Sequence, residues 1–482
     1  MNKFQIIASL CVLLGASHVG HTQTNEPIVI GAKHSFYSKV LGEDREIWVR
    51  VPTGYIVDDT TKYPVVYLLD GKNNFLYTAG LLRQLEIRSV PKSILVGIVN
   101  TDRTRDLTPP TSDPEELEDG AGGADSFMKM LEDEIFSFIW DNYRVTEYKT
   151  VIGHSYGGLF VLYTLAKNTS LFDSYLAISP SLWWDDQKIV DYFDTKLKED
   201  PEKKALLYMT MASERGKMLG GMVKLASVLE SQEPPNLRWD YAVHPNEHHG
   251  SIPAISTLEG FHFFYKDWHI PSPEFEAYGL AAINQRKERI KKEFSVNWEP
   301  ENIIYDDLVY DLLENKDFEK AVQLCNQLID QGKKAVDFHE VAAFSYLELG
   351  NEEKARHHFK EAYKINPGYH GTMEMLDSLK INATDLLQPI TYSKKELESF
   401  VGHYSDGENE CLVMLVGDSL KVTLKEHYFT IKDKLVPFSE DQFYIPNNYY
   451  TLEFLRESTS KEVTHLNVRE TSGWTNKMIK IK

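Results

Sequence analysis

An apolar triplet, Thr150-Val151-Ile152, runs into Gly153-His154-Ser155-Tyr156-Gly157-Gly158 and then into an apolar stretch over residues 159–166. A strand turning at once into a helix, with glycine two residues either side of a serine, leaves the backbone few options. The turn is too tight for side chains at the glycine positions. The serine backbone is strained, and its hydroxyl is lifted from the edge of a sheet.

That sheet is legible around the turn. Short apolar runs at 46–51, 64–69, 94–99, 150–152, 174–178, 205–210 and 239–243 suit strands buried on both faces. Phe127, Met130, Leu131, Ile135, Phe138, Ile139 and Tyr143 keep helical spacing between them. Strands alternating with helices predict an α/β sheet, helices on its faces, over residues 28–270.

The texture changes near residue 300. Glu319, Lys320 and Ala321 recur 34 residues later as Glu353, Lys354 and Ala355, and the second copy adds Tyr346, Gly350, Phe359, Ala362 and Pro367 at tetratricopeptide offsets. The first copy is degenerate, with Cys325 and Leu328 at seam positions. Residues 273–380 therefore read as a helical linker from about Pro273 to Phe294 plus tetratricopeptide-like repeats. Two repeats are too few to stand alone, so they should pack on a neighbour and have room for a protein partner. Residues 395–482 return to short strands, expected at 411–416, 419–424, 427–431, 449–455 and 463–468. These predict a small antiparallel β-sheet or barrel.

Composition removes several classes. The 482 residues hold 52 Lys plus Arg against 72 Asp plus Glu, a net charge of −20 that disfavours nucleic acid. Three cysteines, Cys11, Cys325 and Cys411, exclude a disulfide scaffold and a thiolate zinc cluster. Residues 1–22 read as a signal peptide: Lys3, an apolar run over 4–16, then Gly15, Ala16 and Ser17. The run is short of the roughly 20 residues that span a bilayer. A secreted or periplasmic chain with no later transmembrane segment is expected.

A serine nucleophile needs a base, and the base needs an orienting carboxylate, in the order serine, acid, histidine for this architecture. Glu214 follows strand 205–210 and is the only carboxylate between Glu202 and Glu230. After strand 239–243 come His244, His248 and His249, which these rules leave unranked. Pro245 and Asn246 break the helix that would align His244 with His248 on a metal, so no metal or cofactor is expected. The oxyanion would rest on the Tyr156 N–H and a second donor, Gly71 or Lys72, in the loop after strand 64–69. Trp183 and Trp184 follow a strand end and are candidate substrate contacts, with at most one facing the substrate. Arg103 and Arg105 occupy the same edge. They could receive an anionic group or pair with Asp102 or Asp106. The acidic run Asp113, Glu115, Glu116, Glu118 and Asp119 reads as a solvated loop.

Leu69-Asp70-Gly71, residues 103–109, Gly122-Gly123-Ala124 with Phe127, residues 153–158, Ser179-Pro180-Ser181-Leu182-Trp183-Trp184 and His249-Gly250-Ser251 together resemble the putative-esterase family of α/β-hydrolases. That family includes enterochelin, esterase D, feruloyl and acetyl-xylan esterases and mycolyl transferases. The resemblance spans residues 28–270. It implies Ser155 as nucleophile, His249 as base because it directly precedes Gly-Ser, and Glu214 as acid, with Asp240 the runner-up. It implies a cofactor-free carboxylic ester hydrolase for a small-molecule or polysaccharide ester. An acyltransferase, a thioesterase and a non-catalytic binding module are the alternatives. Residues 397–404 resemble the start of small β domains appended to secreted bacterial serine hydrolases.

Overall fold

A computed structural model describes residues 28–55, 61–86, 89–168, 170–196, 204–266, 268, 279–294, 297–300, 302–388, 390–426 and 429–481. The expected signal segment, the expected helix start at Pro273 and the expected strand start at His427 lie outside them. Eight strands form the first sheet: β1 (Ala32–Ser38), β2 (Glu43–Arg50), β3 (Tyr63–Leu68), β4 (Ile94–Ile98), β5 (Val145–His154), β6 (Ser174–Ile178), β7 (Ala205–Met211) and β8 (Leu237–Val243). Their order is β1-β2-β4-β3-β5-β6-β7-β8, parallel from β4 to β8 and antiparallel at β1 and β2. This is an α/β-hydrolase fold. β1 is absent from the sequence expectation, because only alternate residues of this edge strand are covered and half its side chains stay exposed.

The chain steps from β3 to β4 on one side and to β5 on the other, so connecting helices diverge onto opposite faces between β3 and β5. In open sheets of this kind, ligands bind at such a switch point, at the carboxyl ends of the strands. Phe127, Leu131, Phe160 and Leu225 pack one face of the sheet; Phe75, Leu82, Phe261 and Phe264 pack the other. The expected helix over 127–143 is interrupted. Ala124–Met130 and Phe136–Asn142 are α-helical, and Leu131–Ile135 widens into a π turn. Within that wide turn Glu134 accepts from Ser38 Oγ at 2.5 Å and Lys39 N–H at 2.7 Å, stapling the β1–β2 turn.

Helix Leu280–Phe294 joins two cores. Ile290 and Phe294 enter the sheet's second face, with Phe294 4.8 Å from Tyr148, while Ile283 enters a helical core with Tyr305, Leu324 and Phe338. Helices Asn302–Glu314, Phe318–Asp330, Val336–Glu348, Glu352–Ile365 and His370–Ser378 complete that segment.

A second, nine-stranded antiparallel sheet replaces the five expected strands: β9 (Gly402–Ser405), β10 (Glu410–Val416), β11 (Ser419–Glu426), β12 (Phe429–Lys434), β13 (Val436–Ser439), β14 (Gln442–Tyr444), β15 (Thr451–Arg456), β16 (Val463–Arg469) and β17 (Thr475–Lys480). Its order is β12-β11-β10-β9-β17-β16-β15-β14-β13. The two edge strands are separated only by Leu435, so one bent strand brings both edges together. The sheet docks on the helices through Val336 N–H to Thr471 O at 2.8 Å, while Glu408 takes Arg83 of helix Gly71–Leu85 at 3.0 Å and Thr53 of the turn after β2 at 3.2 Å.

Candidate active site

Ser155 leaves β5 at φ 62, ψ −117, and helix Tyr156–Lys167 starts at the next residue. The left-handed backbone is held by Ser155 N–H donating to Ile178 O at 3.0 Å and Ser181 N–H donating to Ser155 O at 3.1 Å. A Cβ on Gly153 would stand 2.2 Å from Gly157 O, closer than any real contact, so only glycine permits this turn. Ser155 Oγ is 3.3 Å from the buried Ser181 Oγ.

The loops after β7 and β8 meet beside this turn. Ser213 N–H donates to Glu247 O at 3.0 Å and His244 N–H to Met211 O at 2.7 Å, which fixes one loop on the other. Glu214 Oε1 thereby comes 2.7 Å from His249 Nδ1. Burial opposes ionisation of Glu214, but hydrogen bonds from His249, its own backbone and Ser179 outweigh it and hold the carboxyl below its usual range. The other histidines are engaged elsewhere. His244 Nε2 pairs with Glu259 at 3.0 Å, and His248 Nδ1 accepts from Gly250 N–H at 3.1 Å. Asp240 is exposed on β8 and accepts from the Tyr241 N–H beside it.

Gly71 and Lys72 open helix Gly71–Leu85 just past β3, and Tyr156 opens its own helix, so all three amides belong to first turns whose N–H groups find no acceptor within the helix. Asp70, left-handed at φ 54, turns the chain into the first of these helices. Its carboxylate lies 3.3 Å from where a Gly157 Cβ would be, so the two helix starts adjoin. Gly71 is pressed on β4; a Cβ there would fall 2.6 Å from Gly97 C.

Two expectations are corrected. Arg103 pairs with neither Asp102 nor Asp106: its Nε and Nη2 grip Asp70 at 2.7 and 3.0 Å, and Nη2 also donates to His154 O at 3.0 Å. Asn100 completes the Asp70 shell. Arg105 takes Asp106, as one expectation had it, together with Glu43. Trp184 is 1% exposed and packs edge-on against the Tyr156 ring at 5.8 Å, so it is core rather than a substrate contact; Trp183 is half-buried, 5.9 Å from the same ring.

The acidic run forms a short helix, Pro114–Glu118, started by Asp113 accepting from Glu115 N–H. Burial and the carboxylates of Asp113, Asp119 and Asp185 push the Glu116 carboxyl up, and Glu116 and Asp119 act on Tyr156. Tyr156 thus lies between these carboxylates and the Arg103 guanidinium, 5.4 Å from its ring. Sequence reasoning missed three residues here. His154, Asp70 and Ser179 are neighbours of motif residues, but nothing in their spacing says which way their side chains turn. Among the described residues no cluster of three or more His, Cys, Asp or Glu could hold a metal ion, and no helix is long and apolar enough to cross a membrane.

Residues 38–249 match the putative-esterase family. A siderophore enterobactin esterase of Emericella nidulans is 38% identical over 146 residues, 26% of this chain and 48% of that protein. A ferri-bacillibactin esterase of Bacillus subtilis is 32% identical over 160 residues, 29% of this chain and 55% of that one. The chain therefore spans about half the length of these curated relatives. Among solved structures, an IroE-like serine hydrolase from Shewanella oneidensis matches with a TM-score of 0.53 at 26% identity, covering 61% of this chain and 97% of that one.

Proposed function

We propose that this chain is a cofactor-free serine esterase that cleaves a carboxylic ester through an acyl-enzyme on Ser155. The observation that carries the reading is the 2.7 Å Glu214–His249 contact beside a serine held at φ 62. Ser155 Oγ attacks the ester carbonyl and gives its proton to His249 Nε2. Glu214 fixes the tautomer and stabilises the imidazolium. The oxyanion rests on the Tyr156 N–H and on Gly71 or Lys72, each donor typically contributing about 10²–10³ in turnover. The imidazolium then protonates the departing alkoxide, and water enters by the same steps in reverse. A 42% exposed His249 side chain leaves the base open to water, which favours hydrolysis over transfer to another alcohol.

A siderophore lactone is the favoured substrate, because the two curated relatives described above are named a siderophore enterobactin esterase and a ferri-bacillibactin esterase. Trp183, half-buried at the rim, suits contact with an aromatic acyl group. Arg103 spends its charge on Asp70, so it is assigned to shaping the cleft rather than to drawing in an anion. Export to the periplasm or beyond, a tetratricopeptide-like helical segment and a partner for it complete the proposal.

The test is hydrolysis of chromogenic acetate-to-octanoate esters, a feruloyl ester and an iron-free catecholate trilactone, by wild type and Ser155→Ala. A loss of about 10⁴–10⁶ in the variant is expected. Equal activity in both proteins would remove Ser155 from the mechanism.

A further inference from the structure

His154, the residue before the nucleophile, ends β5 and turns its imidazole onto His249: ring centroids are 4.4 Å apart and the planes 42° from parallel. It also reaches the His249 backbone with a hydrogen bond, while its Nε2 is buried with no hydrogen-bond partner. At its other end, the His154 carbonyl is held by Arg103. A half-exposed histidine whose partner lies 2.7 Å from one ring nitrogen is fixed in distance but free to swing about that bond. A second ring against its face removes the swing.

We propose that His154 is the positioning residue for the base, a wall that holds the His249 ring in the plane from which it serves Ser155. The inference rests on the esterase reading above and deepens it. Because His154 and Ser155 are adjacent in one strained turn, the same backbone sets both the nucleophile and the wall that aims its base.

The charge of the wall matters, since His249 becomes cationic during each half-reaction. Four charged or titratable groups bear on the pair: Asp70, Arg103, Glu214 and His249 itself. Burial first, then His249 and Arg103, disfavour the imidazolium of His154, with Asp70 opposing, and its pKa falls to about 4. His154 is therefore uncharged wherever the base is active, and it adds no like charge beside the imidazolium. Its bulk also keeps water off one face of His249.

The experiment compares the full chain with His154→Phe and His154→Ala, measuring kcat and KM, with thermal melting to report folding. His154→Ala should lose about 30- to 300-fold in kcat with KM within about threefold, the scale expected when a catalytic group is displaced by roughly an ångström. His154→Phe keeps a neutral ring and should stay within about fivefold of wild type in kcat, with KM likewise unmoved. Two results overturn the proposal: a folded Ala variant with wild-type kcat, or a folded Phe variant as impaired as the Ala variant. If the Ala variant does not fold, Phe alone decides, a loss beyond about 30-fold counting against the wall. Persistence of activity in Ser155→Ala would instead overturn the esterase reading.

Discussion

Asp306 and Asp337 face each other where the helices meet the second sheet, and Asp306→Asn gives a stability test with a defined sign. Burial, then the Asp337 charge, pushes the Asp306 carboxyl up; burial also raises Asp337, which accepts hydrogen bonds from Asp306, Thr471 and Tyr310. The folded pair keeps a proton that the unfolded chain releases near pH 4. For a raised carboxyl the contribution is full below the unfolded pKa and is lost as pH rises toward the folded one. The slope is about 1.4 kcal/mol per pH unit for one proton, or ~4 kcal/mol by pH 7 for a fully buried group. Partial exposure of Asp306 reduces that to about 1–2 kcal/mol. Asparagine keeps a donor to Asp337 and has no proton to lose. The variant should be more stable than wild type by about 1–2 kcal/mol at pH 7.5 and within about 0.5 kcal/mol at pH 4.5. A chain of several cores does not melt as one unit, so the assay is hydrogen exchange at the Val336 amide, which donates to Thr471 across this seam. Faster exchange in the variant at pH 7.5, or a difference independent of pH, would refute the reasoning.

Other perturbations follow from contacts already described. Gly153→Ala should abolish ester hydrolysis and lower the melting temperature, since its methyl would overlap the Gly157 carbonyl. Glu214→Gln should lower kcat by about 10²–10⁴ with little change in melting, by losing the carboxylate that orients His249; steady-state kinetics decide it. Glu86→Ala leaves Arg50 buried without its 2.7 Å partner and should cost about 3–5 kcal/mol, read by hydrogen exchange at the amides of β4. Esters carrying a carboxylate should be cleaved more slowly than neutral isosteres at low salt, and Glu116→Gln or 0.3 M NaCl should narrow the gap, because Glu116 and Asp119 act on Tyr156 beside the nucleophile. Equal salt response for both esters would count against that.

Much of this architecture is written locally. β4, β6 and β7 are continuous apolar runs because both faces are covered, and glycine at 153 marks a turn where a Cβ would strike the Gly157 carbonyl. Glu214 stands out in the sequence because no other carboxylate is near it, and the fold sets it 2.7 Å from His249. The rest depends on distant partners. Asp70 and Arg103 are 33 residues apart and meet only when β3 and β4 pair, so a local reading assigned Arg103 to its sequence neighbours. Trp183 and Trp184 are chemically identical in sequence, and only the reversal after Ser181 sends one into the core. Among the histidines after β8, the choice is made by which one the β7 loop can touch.

The position of β17 has a consequence for how the protein is made. Although its residues come after those of every other strand among the described residues, it lies within the second sheet, between β9 and β16. During vectorial synthesis the hydrolase sheet has all its strands once residue 243 has emerged. The second sheet must wait, in two halves with open edges, until residues 475–480 arrive to bridge them. That interval exposes unpaired strand edges in an otherwise folded chain, and it is where premature termination or a slow ribosome would do most harm.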